Sequence, residues 1–395
     1  MKILVLSFYY KPDLCAGSFR TTALVEALLD YLPEHARIDV ITTLPNRYSS
    51  FSSEALEVES YPRLSIRRIK LPRHQSGMLD QAKAFITYAR EATRLTRNDE
   101  YDLVYGTSSR LMTSVLSAYI ARKKKAPLYL DIRDIFVDTI GDVLPRKFAM
   151  VSKPVFSILE KWAITRANKV NLVSLGFKGY FVTRYPEQNY SYFTNGVDDE
   201  FVCAGEKSEP RKRADDVVTV LYAGNMGEGQ GLHAIIPQLA KRLEGKVLFR
   251  LIGDGGRKKA LAAKLKEIAC TNVELLPPVK RDLLLKEYQS ADVLFLHLND
   301  YPAFEKVLPS KLFEYAAMGK PVWAGLSGYS AKFVNEEIVN AVVFSPCDVG
   351  DALESFQRLG LDEVDRAGFI EKYSRGNIMK QMAKDIVSLS CDLKQ

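Results

Sequence analysis

Short apolar runs alternate with longer amphipathic stretches along the whole of this 395-residue chain. In the first half, runs rich in β-branched and aromatic residues lie at 3–8, 38–42, 65–69, 103–105, 128–130 and 170–173. Brief, nearly continuous apolar runs are what strands covered on both faces require. Between them, 20–32 and 79–95 repeat apolar residues three and four positions apart, the helical period. The second half repeats the pattern, with strands expected at 217–222, 247–252, 273–276, 293–296, 321–324 and 341–344 and helices at 231–243, 258–269, 281–290 and 311–318. Strand–helix alternation predicts an α/β fold built on a doubly wound parallel sheet, and its recurrence predicts two such domains. The length also exceeds what one hydrophobic core usually serves. The expected division is a first domain over 1–203, a polar linker at 204–216 and a second domain over 217–368. The last stretch, 369–395, reads as a helix that packs back on the first domain.

Ligands of open α/β sheets bind beyond the carboxyl ends of the strands, which directs attention to the residues there. The most informative stretch runs from Leu308 and Pro309 through Ser310, Lys311, Leu312 and Glu314 to a Gly319-Lys320-Pro321 stop. A loop carrying a hydroxyl and an ammonium enters a short helix, where backbone N–H groups favour anions. Ser310 and Lys311 supply donors to phosphate oxygens, and Glu314 can accept from a ribose diol. Diphosphate and ribose together describe a nucleotide, and by extension a nucleotide sugar.

Three glycine-bearing turns follow predicted strands. Gly17 precedes the first helix, Gly224 and Asn225 open a turn with four glycines between 222 and 232, and Gly253 lies in a third turn. Each suits a backbone cradle for phosphate or sugar, or simply a tight strand-to-helix turn. No G-x-G-x-x-G occurs, so a dinucleotide fingerprint is absent. At the end of a first-domain strand, Asp131, Arg133, Asp134 and Asp138 cluster. They read either as acceptor-activating chemistry or as a local Arg–Asp pair fixing the loop. Catalytic roles are assigned to Asp134, Arg133 and Lys311.

Composition excludes several classes. Hydrophobic residues make up 47% and charged residues 26%, as in ordinary globular proteins. No apolar run approaches the roughly 18 residues of a membrane span. The apolar opening is followed by Lys11-Pro12-Asp13 without a cleavage site, so it reads as a buried strand rather than a leader. Five cysteines, none at C-x-x-C spacing, argue for reduced thiols in the cytoplasm. Four scattered histidines and no H-E-x-x-H leave no expectation of a metal or other cofactor. The net charge of +7 concentrates at 63–74 and 122–125. These clusters read as a solvated face, as attraction to an anionic membrane surface, or as a complement to a phosphorylated ligand. Nucleic acid is disfavoured, since no aromatic residues interleave the basic ones.

Together these stretches resemble the retaining glycosyltransferases of family 4, with the two-Rossmann GT-B architecture. Asn195-Gly196-Val197-Asp198 is similar to the family's Asn-Gly-Val-Asp, and 309–321 is its most specific match. The 222–232 and 310–322 stretches resemble the branch that transfers N-acetylated, often deoxy, sugars such as N-acetylfucosamine in bacterial O-antigen or capsule synthesis. The resemblance implies a UDP-sugar donor and a glycan or polyprenyl-diphosphate-linked acceptor. It implies ribose binding by Glu314, with the enzyme in the cytoplasm or peripheral on the inner membrane. Lys306 stands where the family places a sugar-binding Glu, Asn225 and Gln230 stand near its usual Arg and Lys, and Arg133-Asp134 falls where many relatives carry a His-Asp pair. Two other readings remain open: a UDP-sugar 2-epimerase-like enzyme, and a catalytically degenerate nucleotide-sugar-binding subunit.

Overall fold

A computed structural model describes every residue except 14, 46–54, 73–77, 109, 144–145, 206–216 and 393–395. The chain forms two compact units, Met1–Asn195 with Gly376–Gln395, and Gly196–Arg375.

In the first unit the strands are β1 (Lys2–Leu6), β2 (Arg37–Thr43), β3 (Val58–Ser60), β4 (Leu64–Ile69), β5 (Leu103–Thr107), β6 (Leu128–Ile132), β7 (Lys169–Leu172) and β8 (Tyr190–Ser191). They form one sheet in the order β3-β4-β2-β1-β5-β6-β7-β8, parallel except at the β3–β4 edge. Alternation along β1 sends Ile3 and Val5 to one face. There they join Leu24, Val25 and Leu28 of the helix Ala16–Tyr31 and Met379, Met382, Ala383 and Ile386 of the final helix, Arg375–Asp392. The final helix is further fixed by Asp385, which accepts from Tyr129 Oη at 2.9 Å and pairs with Lys169. Helices Met78–Leu95, Leu111–Lys124 and Arg146–Ile164 pack side by side as a separate layer, the first two of them directly against the strands.

The second unit holds β9 (Val218–Asn225), β10 (Val247–Asp254), β11 (Val273–Leu276), β12 (Val293–His297), β13 (Val322–Gly325) and β14 (Ala341–Phe344). Their order is β11-β10-β9-β12-β13-β14, with every pair parallel. The two faces segregate cleanly: Leu221, Ala223, Leu294 and Leu296 enter one core, Val220, Tyr222, Val293 and Phe295 the other.

Each strand expected from the sequence is present. The short edge strands β3 and β8 lack a long apolar run and were not expected. The boundaries also differ from expectation. The units divide between Asn195 and Gly196 instead of at the polar stretch. Ala204 and Gly205 end the helix Asp199–Gly205, and 206–216 lie outside the described residues. The helix expected over 369–395 is two helices, Ala367–Lys372 and Arg375–Asp392. The break has a visible cause. Val197 N–H donates to Tyr373 O at 2.7 Å and Arg375 N–H to Val197 O at 2.8 Å, a bridge that takes the backbone groups a continuous helix needs. Asp198 adds ion pairs to both Arg281 and Arg375. Among the described residues no helix is long and apolar enough to cross a membrane.

Candidate functional site

The helix Lys311–Ala317 buries Leu312, Phe313, Tyr315, Ala316 and Ala317 in the second unit's core. Lys311 and Glu314, three residues apart, therefore share the one face left partly open. Three groups hold the helix in place. Leu308 is buried in the approach to it, and Ala223 N–H on β9 reaches Tyr315 Oη at 3.4 Å. The buried guanidinium of Arg366 donates to the carbonyls of Ala316 at 3.2 Å and Val339 at 2.6 Å. That places a cation on the last carbonyls of the helix, where its dipole is negative. Burial pushes Arg366 down to about 10, so it remains charged near neutrality.

Lys311 is the unusual group. Its ammonium lies 6.0 Å from the Tyr222 ring centroid and makes no hydrogen bond or ion pair with another described residue. Burial pushes its pKa down, against the opposing pull of Glu314. A half-buried cation without a counter-ion is stabilised by any anion that arrives. Gly224 makes the space for it, because a Cβ there would lie 2.5 Å from Lys311 Nζ. The φ of +148° at Gly224 disfavours a side chain independently. Glu314 is positioned by Tyr288, whose hydroxyl donates to Oε2 at 3.1 Å. Burial holds the Tyr288 phenol well above its usual range, so it stays a donor and leaves Oε1 for another partner.

The neighbouring turn is internally braced. Asn225 Nδ2 and Gly227 N–H both donate to Gln230 Oε1, at 2.7 and 3.2 Å. Asn225 and Gln230 thus hold each other. Gly253 pairs with Gly224 across the β9–β10 ladder, and a Cβ there would fall inside the Gly224 carbonyl. Close strand approach accounts for that glycine. Pro309 and Ser310 lead into the helix, and the Ser310 side chain makes no capping bond. Glu305 is exposed and Lys306 half-buried at the end of the turn Pro302–Lys306.

Below the same turn, His297 Nε2 accepts from Cys347 N–H at 2.9 Å, which fixes the other ring nitrogen as the donor to Gln230 O at 2.7 Å. Burial pushes His297 down to about 4. A histidine depressed from about 6.5 contributes stability that is present above that pH and is lost as pH falls toward about 4, by roughly 3 kcal/mol. Trp323 sits in the same cluster, packed edge-on against Phe295 and tilted against Phe344, the two rings that stack on the imidazole. Urea titrations followed by Trp323 fluorescence in a Trp162→Phe background are expected to show this loss. The loss should shrink by about 2 kcal/mol or more in His297→Gln. Equal acid sensitivity in the two proteins would remove His297 as the cause.

In the first unit, Gly17 is buried at the second position of the helix Ala16–Tyr31, and Arg133 Nη1 donates to the adjoining Ala16 O at 3.2 Å. The Arg133 backbone N–H is held by Ser108 Oγ at 2.9 Å. Burial and the nearby charge of Arg20 pull Arg133 below the usual arginine range. Asp134 is exposed beside it, and Asp138 lies in the next helix, Phe136–Val143. Gly17, Arg133 and Asp134 therefore assemble locally, while Lys311 belongs to the second unit. Asp131 has a different fate. Fully buried, it receives Arg20 at 2.7 and 3.0 Å, Tyr105 Oη at 2.9 Å and Asn171 Nδ2 at 2.7 Å. The cluster's Arg–Asp pair is thus Arg20–Asp131, 111 residues apart in sequence. Tyr288, Arg366, Arg20 and His297 all escaped the sequence reading, because each acts through a partner distant along the chain.

Residues 217–362 match the family model described as "Glycosyl transferases group 1". Over 105 residues the chain is 30% identical to WcaI of Escherichia coli, described as a colanic acid biosynthesis glycosyl transferase. That alignment takes in 27% of this chain and 26% of WcaI, so the match spans about a quarter of the relative's length. Among solved structures, HepE of Anabaena in complex with UDP aligns over 98% of this chain and all of its own, with a TM-score of 0.65 and 16% identity. WaaG, described as a glycosyltransferase involved in lipopolysaccharide biosynthesis, aligns over 99% of this chain and 98% of its own, with a TM-score of 0.63 and 13% identity. At such identities the likeness is one of fold. Residues 217–362 of the second unit are thus similar to a glycosyl transferases group 1 domain, and the chain as a whole has the two-domain GT-B fold.

Proposed function

We propose that this protein is a retaining glycosyltransferase of bacterial polysaccharide synthesis. It moves an N-acetylated sugar from a UDP-sugar to a lipid-linked or cell-surface glycan acceptor in the cytoplasm. The observation that carries this reading is Lys311, an unpaired, half-buried ammonium over the Gly224 backbone with Glu314 on the same helix face. Lys311 meets the diphosphate charge, and the free oxygen of Glu314 accepts from the ribose hydroxyls. The bond broken joins the sugar's anomeric carbon to the diphosphate oxygen. That oxygen takes the acceptor hydroxyl's proton as the new bond forms on the same face, so no enzyme nucleophile is needed. Catalysis then rests on holding the reactants and stabilising the leaving charge. Arg133 and Asp134 are assigned to the acceptor side.

Screening UDP-, GDP- and TDP-sugars for slow hydrolysis without acceptor tests the donor. Preference for a UDP-linked N-acetylated sugar is expected. Appearance of an epimer from UDP-N-acetylglucosamine would replace transfer with epimerisation, and UDP binding without any turnover would leave a binding subunit. Glu314→Ala is expected to weaken UDP about tenfold or more in calorimetry, the usual worth of a charge-assisted hydrogen bond. Unaltered UDP affinity would remove the ribose role.

A further inference from the structure

Strand β1 lies where the strand order of the first sheet reverses, paired with β2 on one side and β5 on the other. The helices that follow β1 and β5 leave on opposite faces. Leu103 and Tyr105 share a core with the helix Ala16–Tyr31, whereas Gly106 faces Ser117 of Leu111–Lys124. Beyond the carboxyl ends of the strands, such a reversal leaves a crevice that suits a ligand. Phe8 and Tyr9 follow β1 there, and Ser108 and Arg110 follow β5.

Arg110 has no role in the site described so far. Its guanidinium carbon lies 4.2 Å from the Phe8 ring centroid, and Nη2 donates to Tyr9 Oη at 3.3 Å. Phe8 is itself held by Tyr9, Phe85 and Tyr88, with ring centroids 5.3, 6.5 and 5.2 Å away. Among the described residues Arg110 has no ion pair, unlike Arg67 with Asp39 and Asp99 or Arg68 with Glu59. Arg73 and His74 of that other basic run lie outside the described residues. Half-buried and already oriented, Arg110 keeps its remaining N–H groups for a ligand.

Arg110 is also the N-cap of the 14-residue helix Leu111–Lys124, which has no side-chain cap and no acid in its first turn. The first N–H groups of a helix lack intrahelical partners and favour an anion. Hydroxyls collect at the same end. Thr107, Thr113 and Ser114 are at most 1% exposed, and their oxygens have no hydrogen-bond partner among the described residues. Ser108 Oγ accepts from Arg133 N–H at 2.9 Å, which leaves its own proton to donate. Ser108 and Ser114 line a small cavity with Leu111, Asp134 and Glu160. Those carboxylates disfavour an anion within the cavity, so an anion belongs beside Arg110.

We propose that Arg110 and the N-terminus of Leu111–Lys124 bind a phosphate group of the acceptor, so that Arg110 selects a phosphate-bearing acceptor over a neutral glycan. The proposal rests on the transferase reading above and names what its acceptor carries. A guanidinium fork, backbone N–H groups and hydroxyls match the several oxygens of a phosphate better than the paired oxygens of a carboxylate.

Calorimetry on protein saturated with UDP, which fills the Lys311 site, tests this with glucose 1-phosphate, glucose and glucuronate as probes. Glucose 1-phosphate is expected to bind at least about tenfold more tightly than the other two, the usual worth of a charge-assisted hydrogen bond. That preference should vanish in Arg110→Gln at unchanged melting temperature. Inorganic pyrophosphate should compete with glucose 1-phosphate in the wild-type protein. Equal affinity for the three probes, no binding of any, or a preference that persists in Arg110→Gln would overturn the proposal. Tighter binding of glucuronate would also overturn it, reassigning Arg110 to an acidic sugar. Donor hydrolysis needs no acceptor. Its absence would sink the transferase reading while a measured phosphate site at Arg110 would stand.

Discussion

Lys311→Ala is expected to lower turnover of the donor sugar by about 10²–10³-fold, the effect of removing one preorganised donor from a developing negative charge. The side chain is half-buried and has no hydrogen-bonding partner among the described residues, so its removal leaves no orphaned group. The folded protein should keep its melting temperature while activity falls. Burial lowers the lysine's pKa in the free protein, and an incoming diphosphate raises it again, so binding draws a proton onto the ammonium. UDP affinity measured against pH should therefore decline once the free lysine loses its proton, and that limb should be missing in Lys311→Met. Unchanged kinetics in a folded Lys311→Ala would exclude the lysine from the mechanism.

The second large effect concerns stability. Arg20 and Asp131 are both fully buried and share two hydrogen bonds, while Arg20 also donates to Thr194 O at 2.6 Å and Phe193 O at 2.8 Å. Arg20 thereby ties β6 to the segment that precedes the passage into the second unit. Its charge holds the Asp131 carboxyl below the usual carboxylate range even though burial alone would raise it. Arg20→Met is expected to cost about 3–5 kcal/mol, because it leaves a buried carboxylate without its counter-charge. Removing both charges, as Arg20→Met with Asp131→Leu, should recover part of that loss. One tryptophan lies in each unit, Trp162 in the first and Trp323 in the second. Urea unfolding followed by Trp162 in a Trp323→Phe background therefore reads the first unit. A loss below about 1 kcal/mol in Arg20→Met would show the pair to be dispensable.

These two residues also mark what could be read from the chain. Lys311 was accessible because everything it needs is local: a loop, a three-residue offset to Glu314 and a stop signal. Arg20 looked like any polar residue opening an amphipathic helix. Its partner Asp131 instead seemed to belong with Arg133, two positions away, since sequence proximity was the only guide to pairing. Across β6, alternation turns Asp131 inward, and Arg133 lies beyond the strand end near Ala16. The turn at Gly224 was recognised as a glycine turn, but the bracing of Asn225 by Gln230 and of Gln230 by His297 required the fold.

The basic residues follow the same division. Both clusters stood out as charge runs, and nothing in their composition separated them. The fold pairs Arg67 and Arg68 with carboxylates from β2 and β3, while the lysines ending Leu111–Lys124 remain at an exposed groove.

What the amino-acid sequence determined by itself was the element pattern, the two-sheet organisation and the placement of Lys311 and Glu314 on one short helix. Periodicity, turn residues and short-range spacing are local properties, and they survive without knowledge of neighbours. Only the tertiary structure decided where the units divide, which arginine meets which aspartate, and which basic run keeps a free surface. Those outcomes depend on burial and on contacts between distant residues, where the cost of an unpaired buried charge selects one partner over another.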